Sequence, residues 1–452
     1  MFSIGNLPFN GGLPPTPFSA QSTVDPDCDS HLGFGSADFT RTLRTMEEFD
    51  EVCAAWEPAP NDPDSDPRVN MAIVSSRPEF VRPHVIVVYS GGHPCSMLLG
   101  RLERTRLDLR IGYFRIRPQA TRYAFEHGGP RGDGSESVCR LLIQELCRSL
   151  KSGEADLATL GSKRSGSPFY GLVRQIPGLL MRDIVRQEQV HHYLALPHSS
   201  EEFYSSLGAK RRGQIRRQQR QLYGAFPGTV SVNTYSSESE IDEVAPRLES
   251  VASKSYLRAL DVGFRDTPEM RFQLRLAAKH GWLRIFLLQV AGNPVAFWIC
   301  ELDRGILRSC YLGYDPELGK HSPGMFLITS VIEQFCSGAG EQAGAVDFGL
   351  GDAQYKLVLA KSSWSDGNPF VFAPSFRGLW LKLIVTGATA VEILARALLS
   401  RAGALSKIRK RWREIARKSS TVSLPNARSG QSGKSGEGGS GDADDPKHMQ
   451  SR

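Results

Sequence analysis

Three strand-like runs follow one another between residues 283 and 314, and they restrict the fold more than any other passage of the chain. They read LRIFLLQV (283–290), PVAFWICEL (294–302) and ILRSCYLGY (306–314), short runs rich in β-branched and aromatic residues. Ala-Gly-Asn separates the first two and Asp303-Arg304-Gly305 the next pair, and both gaps suit tight hairpin turns. Ser322-Pro323-Gly324 then opens a helix running to about Phe335, because Ser favours the N-cap and Pro the first turn. Met325, Ile328, Val331, Ile332 and Phe335 supply its core stripe, strand 344–348 comes next, and a short helix starts at Asp352. Upstream lie the alternating strand TVSVNTY (229–235), a helix from Glu240 to about Leu257, and a helix opened by Thr267-Pro268 that closes near Gly281. The order is β-α-α-β-β-β-α-β-α.

The stretch from Phe39 to His198 echoes that order. It offers HVIVVYS (84–90), CSMLLGRLE (95–103) and LRIGYFRI (109–116), a helix at 136–150, then ADLATLG (155–161) and SPFYGLV (167–173). ADLATLG…SPFYGLV set beside AVDFGLGDAQYKLV suggests a duplicated unit. The expected fold class is α/β (α+β): tandem units, each a mixed, mostly antiparallel sheet flanked by helices. The chain divides into five regions: a flexible lead-in (1–37), a first unit (38–199), a second unit (200–375), a basic amphipathic helical segment (376–418) and a disordered tail (419–452) containing SGQSGKSGEGGSGDADD.

Composition narrows the setting. Eight cysteines lack any CxxC or paired metal spacing, and several sit in apolar runs such as VCRLLIQELC, so buried free thiols are expected and no metal. The N-terminal MFSIGNLPFNGG has neither the basic start nor the long apolar core of a secretory signal. No window reaches 18 uncharged apolar residues. The expectation is a cytoplasmic protein.

The formal charge of +7 is unevenly spread. Lys210 to Arg220 holds six basic residues and no acid in eleven positions. At helical spacing Arg212, Arg216 and Arg220 form one row while Ile215 and Leu222 face inward. Like charges at that spacing repel, so the row suggests an anionic partner such as a diphosphate carrier, the phosphates of a cofactor, or tRNA; a solvated linker helix is the alternative. A lone aromatic nearby, Tyr223, argues against base reading, and no DNA partner is expected. The segment 376–418 carries eleven Lys/Arg against two Glu, with Trp380, Leu383, Leu394, Leu398 and Ile408 able to form an apolar face. It suits either peripheral contact with the inner face of a membrane or packing on the core.

The passage from Arg308 to Lys356 concentrates the candidate chemistry. A small-residue opening at Ser322–Gly324 leaves helix N–H groups free for a phosphate, with Lys320 and His321 beside it and Tyr314 at the strand end. Asp347 is either a carboxylate whose pKa burial would raise toward that of a base, or a structural acceptor for the adjoining glycine turn. Asp352 reads as a helix cap as well as a candidate acid-base group, and Lys356 as a contact for an acidic acceptor or a solvated lysine.

Three segments carry a family resemblance: SSLGAKRRGQIRRQQRQL (205–222), CYLGYDPELGKHSPGMFL (310–327) and VDFGLGDAQYK (346–356). In these the chain resembles the GNAT N-acyltransferase superfamily, and within it a branch associated with cellulose biosynthesis (CelD-type), itself related to Fem-type peptidyltransferases. The resemblance implies acyl transfer from acyl-CoA, such as acetyl-CoA, to an amine or hydroxyl of an envelope or exopolysaccharide acceptor. It also implies that Tyr355 lies near where such enzymes hold an acid for the departing thiolate. Lys320, His321, Ser322, Gly324 and Tyr314 would then meet the cofactor, and Lys356, Arg212, Arg216 and Arg220 the substrate. Leu318 to Gly324 keeps glycines but departs from the superfamily's Arg/Gln-x-x-Gly-x-Gly/Ala spacing, and Pro323 removes one donor. Fem-like transfer from aminoacyl-tRNA and a non-catalytic scaffold are the competing expectations. In the first unit, Asp156 and Tyr170 stand where the second has Asp347 and Tyr355, but its helix opening lacks Ser-Pro-Gly, and that unit is expected to be structural.

Overall fold

The computed structural model describes residues 38–401 apart from 57–66, 112–113, 127–128, 162, 186–187, 256–257, 259–262, 338–341 and 352. The lead-in, the end of the basic segment, the tail and Asp352 therefore lie outside the described residues. Among those described, the strands form sheets of eight, five, four and two strands. The fold is mixed α/β with mostly antiparallel pairing and two units of one plan.

The meander is the spine of the second unit. Leu283–Val290, Asn293–Asp303 and Ile306–Tyr314 pair antiparallel, and Val230–Tyr235 adds to the outer edge. Ala291-Gly292 and Arg304-Gly305 all have positive φ, the backbone of the tight turns that match strand twist. Helices Ile241–Ala252 and Pro268–Lys279 cover one face of this sheet. Pro323–Cys336 covers the other, overlaid by Ala209–Ala225. That double burial explains why Phe326 and Leu327 are as hidden as the expected stripe, while Met325 and Phe335 are only half-buried.

The first unit has the same plan with one revision. The last long strand before its long helix (Glu136–Lys151) is Gln119–Phe125, whereas LRIGYFRI folds into a separate hairpin, Leu109–Ile111 against Phe114–Ile116. This hairpin is an excursion, closed where Arg106 pairs with Gln119 and the Leu107 N–H reaches the Pro118 carbonyl.

Each unit also lends a strand to the other. Glu188–Ala195 inserts into the second unit's sheet between Ala345–Leu350 and Ser362–Gly367. Reciprocally, Phe370–Phe372 pairs with Leu157–Leu160 of the first unit. A division of the chain at residue 199 does not anticipate this crossing.

Candidate active site

Parallel pairing between Ile306–Tyr314 and Ala345–Leu350 covers only three positions, ending at Arg308 opposite Asp347. Beyond that point the strands part. Residues 309–314 stay with the meander, whereas Gly349 and Leu350 pair with His192 and His191 on the other side. Between them opens a wedge across which, among the described residues, the two strands make no further pairing, a natural seat for an extended ligand with amides of its own. Cys310 is the extra residue of a bulge in the first of these strands, which turns it further away. At the apex, Arg308 Nε is buried and has no hydrogen-bond partner among the described residues.

The helix start lies beyond the wedge. Strand 306–314 ends at Tyr314, a 3₁₀ turn spans Pro316–His321, and the helix begins at Pro323. Ser322 does precede it, but in a left-handed conformation (φ 52°) that makes no side-chain cap. Its Oγ instead accepts a 2.9 Å hydrogen bond from Gln218 Nε2 of the basic helix. A Cβ on Gly324 would sit 3.4 Å from the Tyr314 ring, so Gly keeps the first turn bare beneath that aromatic. His321 packs edge-on against Phe226, and Lys320 is exposed on the turn. The N–H groups of Gly324 and Met325 have no intrahelical acceptor by geometry, and Pro323 has none to give. The opening can hold an anion with two amides and one nearby cation.

At the far strand, Asp347 is buried and its chemistry differs from that of a free base. Its Oδ1 accepts from His191 Nε2 at 2.6 Å and from the Gly349 N–H at 2.7 Å. His191 also donates Nδ1–H to Asp366 Oδ2 at 2.9 Å, so both ring nitrogens face carboxylates. The ring stacks on Trp364, which also meets Tyr193 and the Arg164 guanidinium, the latter 5.0 Å from the ring centroid. Burial pulls the His191 pKa down, but the hydrogen bonds and charges of the two aspartates outweigh it and leave it at about 9. For Asp347, burial pushes upward yet His191 and the Gly349 N–H prevail, and the pKa is lowered. The raised carboxyl pKa that burial alone suggests is thus replaced by a held carboxylate.

That carboxylate positions the turn beyond it. Gly349 (φ 69°) and Gly351 (φ 95°) carry the chain out of the strand into helix Gln354–Leu359. Tyr355 is half-buried with its ring edge-on to Phe348 at 5.8 Å. Lys356 is buried, not solvated, and its ammonium donates to the Leu350 carbonyl at 2.8 Å. In the basic helix Ile215 and Leu222 face inward as expected. Arg212 reaches the Tyr204 carbonyl, Arg216 lies over the Tyr204 ring and Arg220 bonds back to the Arg216 carbonyl. Lys210, Arg211 and Arg217 are exposed on the same helix.

His191, Asp366, Trp364 and Lys163 escape sequence reasoning. The strand pairing of EQVHHYLA and SSWSDG that gives these residues a role joins positions more than 150 apart, as in His191 with Asp347 (156 apart) and Asp366 (175 apart). The doubled histidine in EQVHHYLA is the one local signal. None of the seven cysteines among the described residues forms a disulfide, and no group of three or more His, Cys, Asp or Glu among those residues is disposed to hold a metal.

Residues 209–357 match the model of the acetyltransferase (GNAT) domain family, about a third of the chain and most of the second unit. No curated protein matches the sequence significantly. Among solved structures, a tandem GNAT protein from the clavulanic acid biosynthesis pathway is 11% identical, with 74% of this chain and 99% of that chain covered and a TM-score of 0.44. FemX is 10% identical, covering 68% and 96% with a TM-score of 0.42. The C-terminal domain (DUF2156) of a protein assigned as a lysylphosphatidylglycerol synthetase from Agrobacterium fabrum is 11% identical, covering 68% and 90% with a TM-score of 0.41. These are likenesses of outline.

Proposed function

We propose that the second unit transfers an acyl group, in the simplest case acetyl, from acyl-CoA to an amine or hydroxyl of a phosphate-bearing envelope or exopolysaccharide precursor. The observation that carries this reading is the wedge past Arg308 and Asp347, lying within the segment that matches the GNAT domain. Acyl-CoA supplies the activated thioester. The parted strands suit its pantetheine amides, while the Gly324 and Met325 N–H groups with Lys320 suit its pyrophosphate.

The remaining roles belong to side chains around the wedge. Asp347, locked by His191, fixes the Gly349–Gly351 turn and with it the helix bearing Tyr355. Tyr355 is the proposed acid for the departing thiolate. The Arg308 Nε–H, lacking an acceptor among the described residues, is available to developing negative charge at the apex. Lys210, Arg211 and Arg217 favour an acceptor that carries phosphate.

Calorimetric titration with acetyl-CoA, paired with thiol release in the presence of candidate acceptors, tests the reading. Micromolar binding that competes with free CoA supports it. Neither binding nor thiol release at millimolar acetyl-CoA would overturn it.

A further inference from the structure

Helix Phe376–Arg401 is apolar on two faces. Leu381, Val385 and Ala388 pack inward on Leu107 and Leu109 of the first unit and on Phe372 of the strand lent to it. Gly378 permits the close approach, because a Cβ there would come within 2.3 Å of the Ala373 carbonyl. The second face points away from the protein. Phe376, Trp380, Leu383, Val391 and Leu394 recur along it at helical spacing, with Phe376 89% and Leu383 73% exposed.

A loop from the first unit extends this surface. Lys382 stretches across to the carbonyls of Leu179 and Leu180, holding that loop alongside the helix. Leu179, Leu180 and Ile184 are all largely exposed. Asp183, the acid within the loop, is half-buried and its charge is met by Arg174 and Lys382. Three basic side chains lie beside the apolar surface: Arg182, Lys382 and Arg377, the last paired with Asp156 at 3.2 Å.

We propose that this face docks the protein on the surface of an anionic phospholipid bilayer. Large apolar side chains with Trp and Phe at one end and basic neighbours are the chemistry of a helix lying in a membrane interface. No helix among the described residues is long and apolar enough to cross a membrane, so the contact is peripheral. Charge favours lipid over a second copy of the chain. Past Arg401 the sequence up to Lys418 adds seven Lys/Arg against one Glu, which would repel a twin and be drawn to anionic headgroups.

Flotation of the full-length protein with vesicles tests the proposal, independently of whether acetyl-CoA binds. Vesicles of three parts phosphatidylcholine to one part phosphatidylglycerol should carry the protein, and pure phosphatidylcholine should carry about tenfold less. Leu179→Glu/Leu180→Glu and Trp380→Glu/Leu383→Glu should each cut flotation about tenfold while leaving circular dichroism and thermal midpoint unchanged. Charge reversal within 407–418 should weaken binding without removing its dependence on Leu383. If wild type does not float, or floats equally with both vesicles, or if only the 407–418 change matters, the proposal fails. It fails equally if light scattering shows a dimer that the two double variants dissociate and vesicles bind neither form.

Discussion

The two units answer the same topological question in opposite ways. In each, a strand leads into a long helix and a parallel return strand. In the first unit the pairing runs to the strand ends, Arg122–Phe125 against Leu157–Leu160, and the Gly161 N–H still reaches the Phe125 carbonyl at 3.3 Å. Lys163 then buries its ammonium against the Glu126 carbonyl, and Glu126 takes Arg131 at 3.1 Å. In the second unit the pairing stops after three positions and the strands diverge. One plan thus gives a sealed joint and an open wedge, according to which ends of two parallel strands are hydrogen bonded. The counterparts of the proposed catalytic residues agree. Asp156 accepts the Thr121 N–H and pairs with Arg377, while Tyr170 lies against Gly367 so closely that a Cβ there would clash with its hydroxyl.

The largest effect should come from the wedge apex. Asp347→Ala strands His191 beside one remaining carboxylate in a buried site, and removing one partner of such a pair costs about 3–5 kcal/mol. Urea unfolding should show that loss, and a change under about 1 kcal/mol would mean the apex is not held by this bridge. Next come the pH profiles, where two buried groups, His191 and Lys163, should pull in opposite directions. His191 has its folded pKa raised from 6.5 to about 9, so its stabilisation is complete below pH 6.5 and fades as pH rises to about 9. Burial lowers Lys163 from 10.5 to about 7 against the pull of Glu126 and Asp366, so the unfolded chain binds more protons in that window and stability rises with pH from about 7 to 10.5. Lys163→Met should leave a stability curve that declines from about pH 6.5 to 9, and His191→Gln one that climbs from about pH 7. Identical curves for both variants would dissolve the contrast.

The sites themselves should separate by smaller amounts. Tyr355→Phe should lower kcat about 10²-fold with KM for acetyl-CoA little changed, whereas Tyr170→Phe should leave turnover intact. Equal losses in steady-state assays would return a catalytic role to the first unit. Smallest is the phosphate contact. Lys320→Glu should weaken acetyl-CoA binding about tenfold by calorimetry, and Ser135→Glu at the first unit's helix start should do nothing.

The meander, the helix from Pro323 and the short return strand were legible because their cues are local: tight-turn residues, a helix-opening Ser-Pro, apolar periodicity. The same locality placed Asp347 on the return strand and Tyr355 just beyond it. What stayed hidden depends on distance in sequence. His191 and Asp366 acquire a role only when strands 188–195 and 362–367 come together. Ser322 fits the N-cap pattern, but its left-handed backbone and Gln218 show that a local rule yields where a neighbouring helix competes for the hydroxyl. Strand 119–125 was missed in favour of LRIGYFRI because QATRYAF looks polar, its charge being absorbed by Glu103 across the sheet through Arg122.

The exchange of strands between units also sets a clock on synthesis. Strand 157–160 has one edge that is met by Phe370–Phe372 and the residues flanking it, and Phe370 emerges 210 positions after Leu160. At ~5–20 residues per second a ribosome leaves that edge open for ~10–40 s. During this interval the nascent first unit displays an unfinished sheet, a template for pairing with other chains. The protein should therefore depend on chaperones while it is made, and no fragment ending before Phe372 can close its own first half.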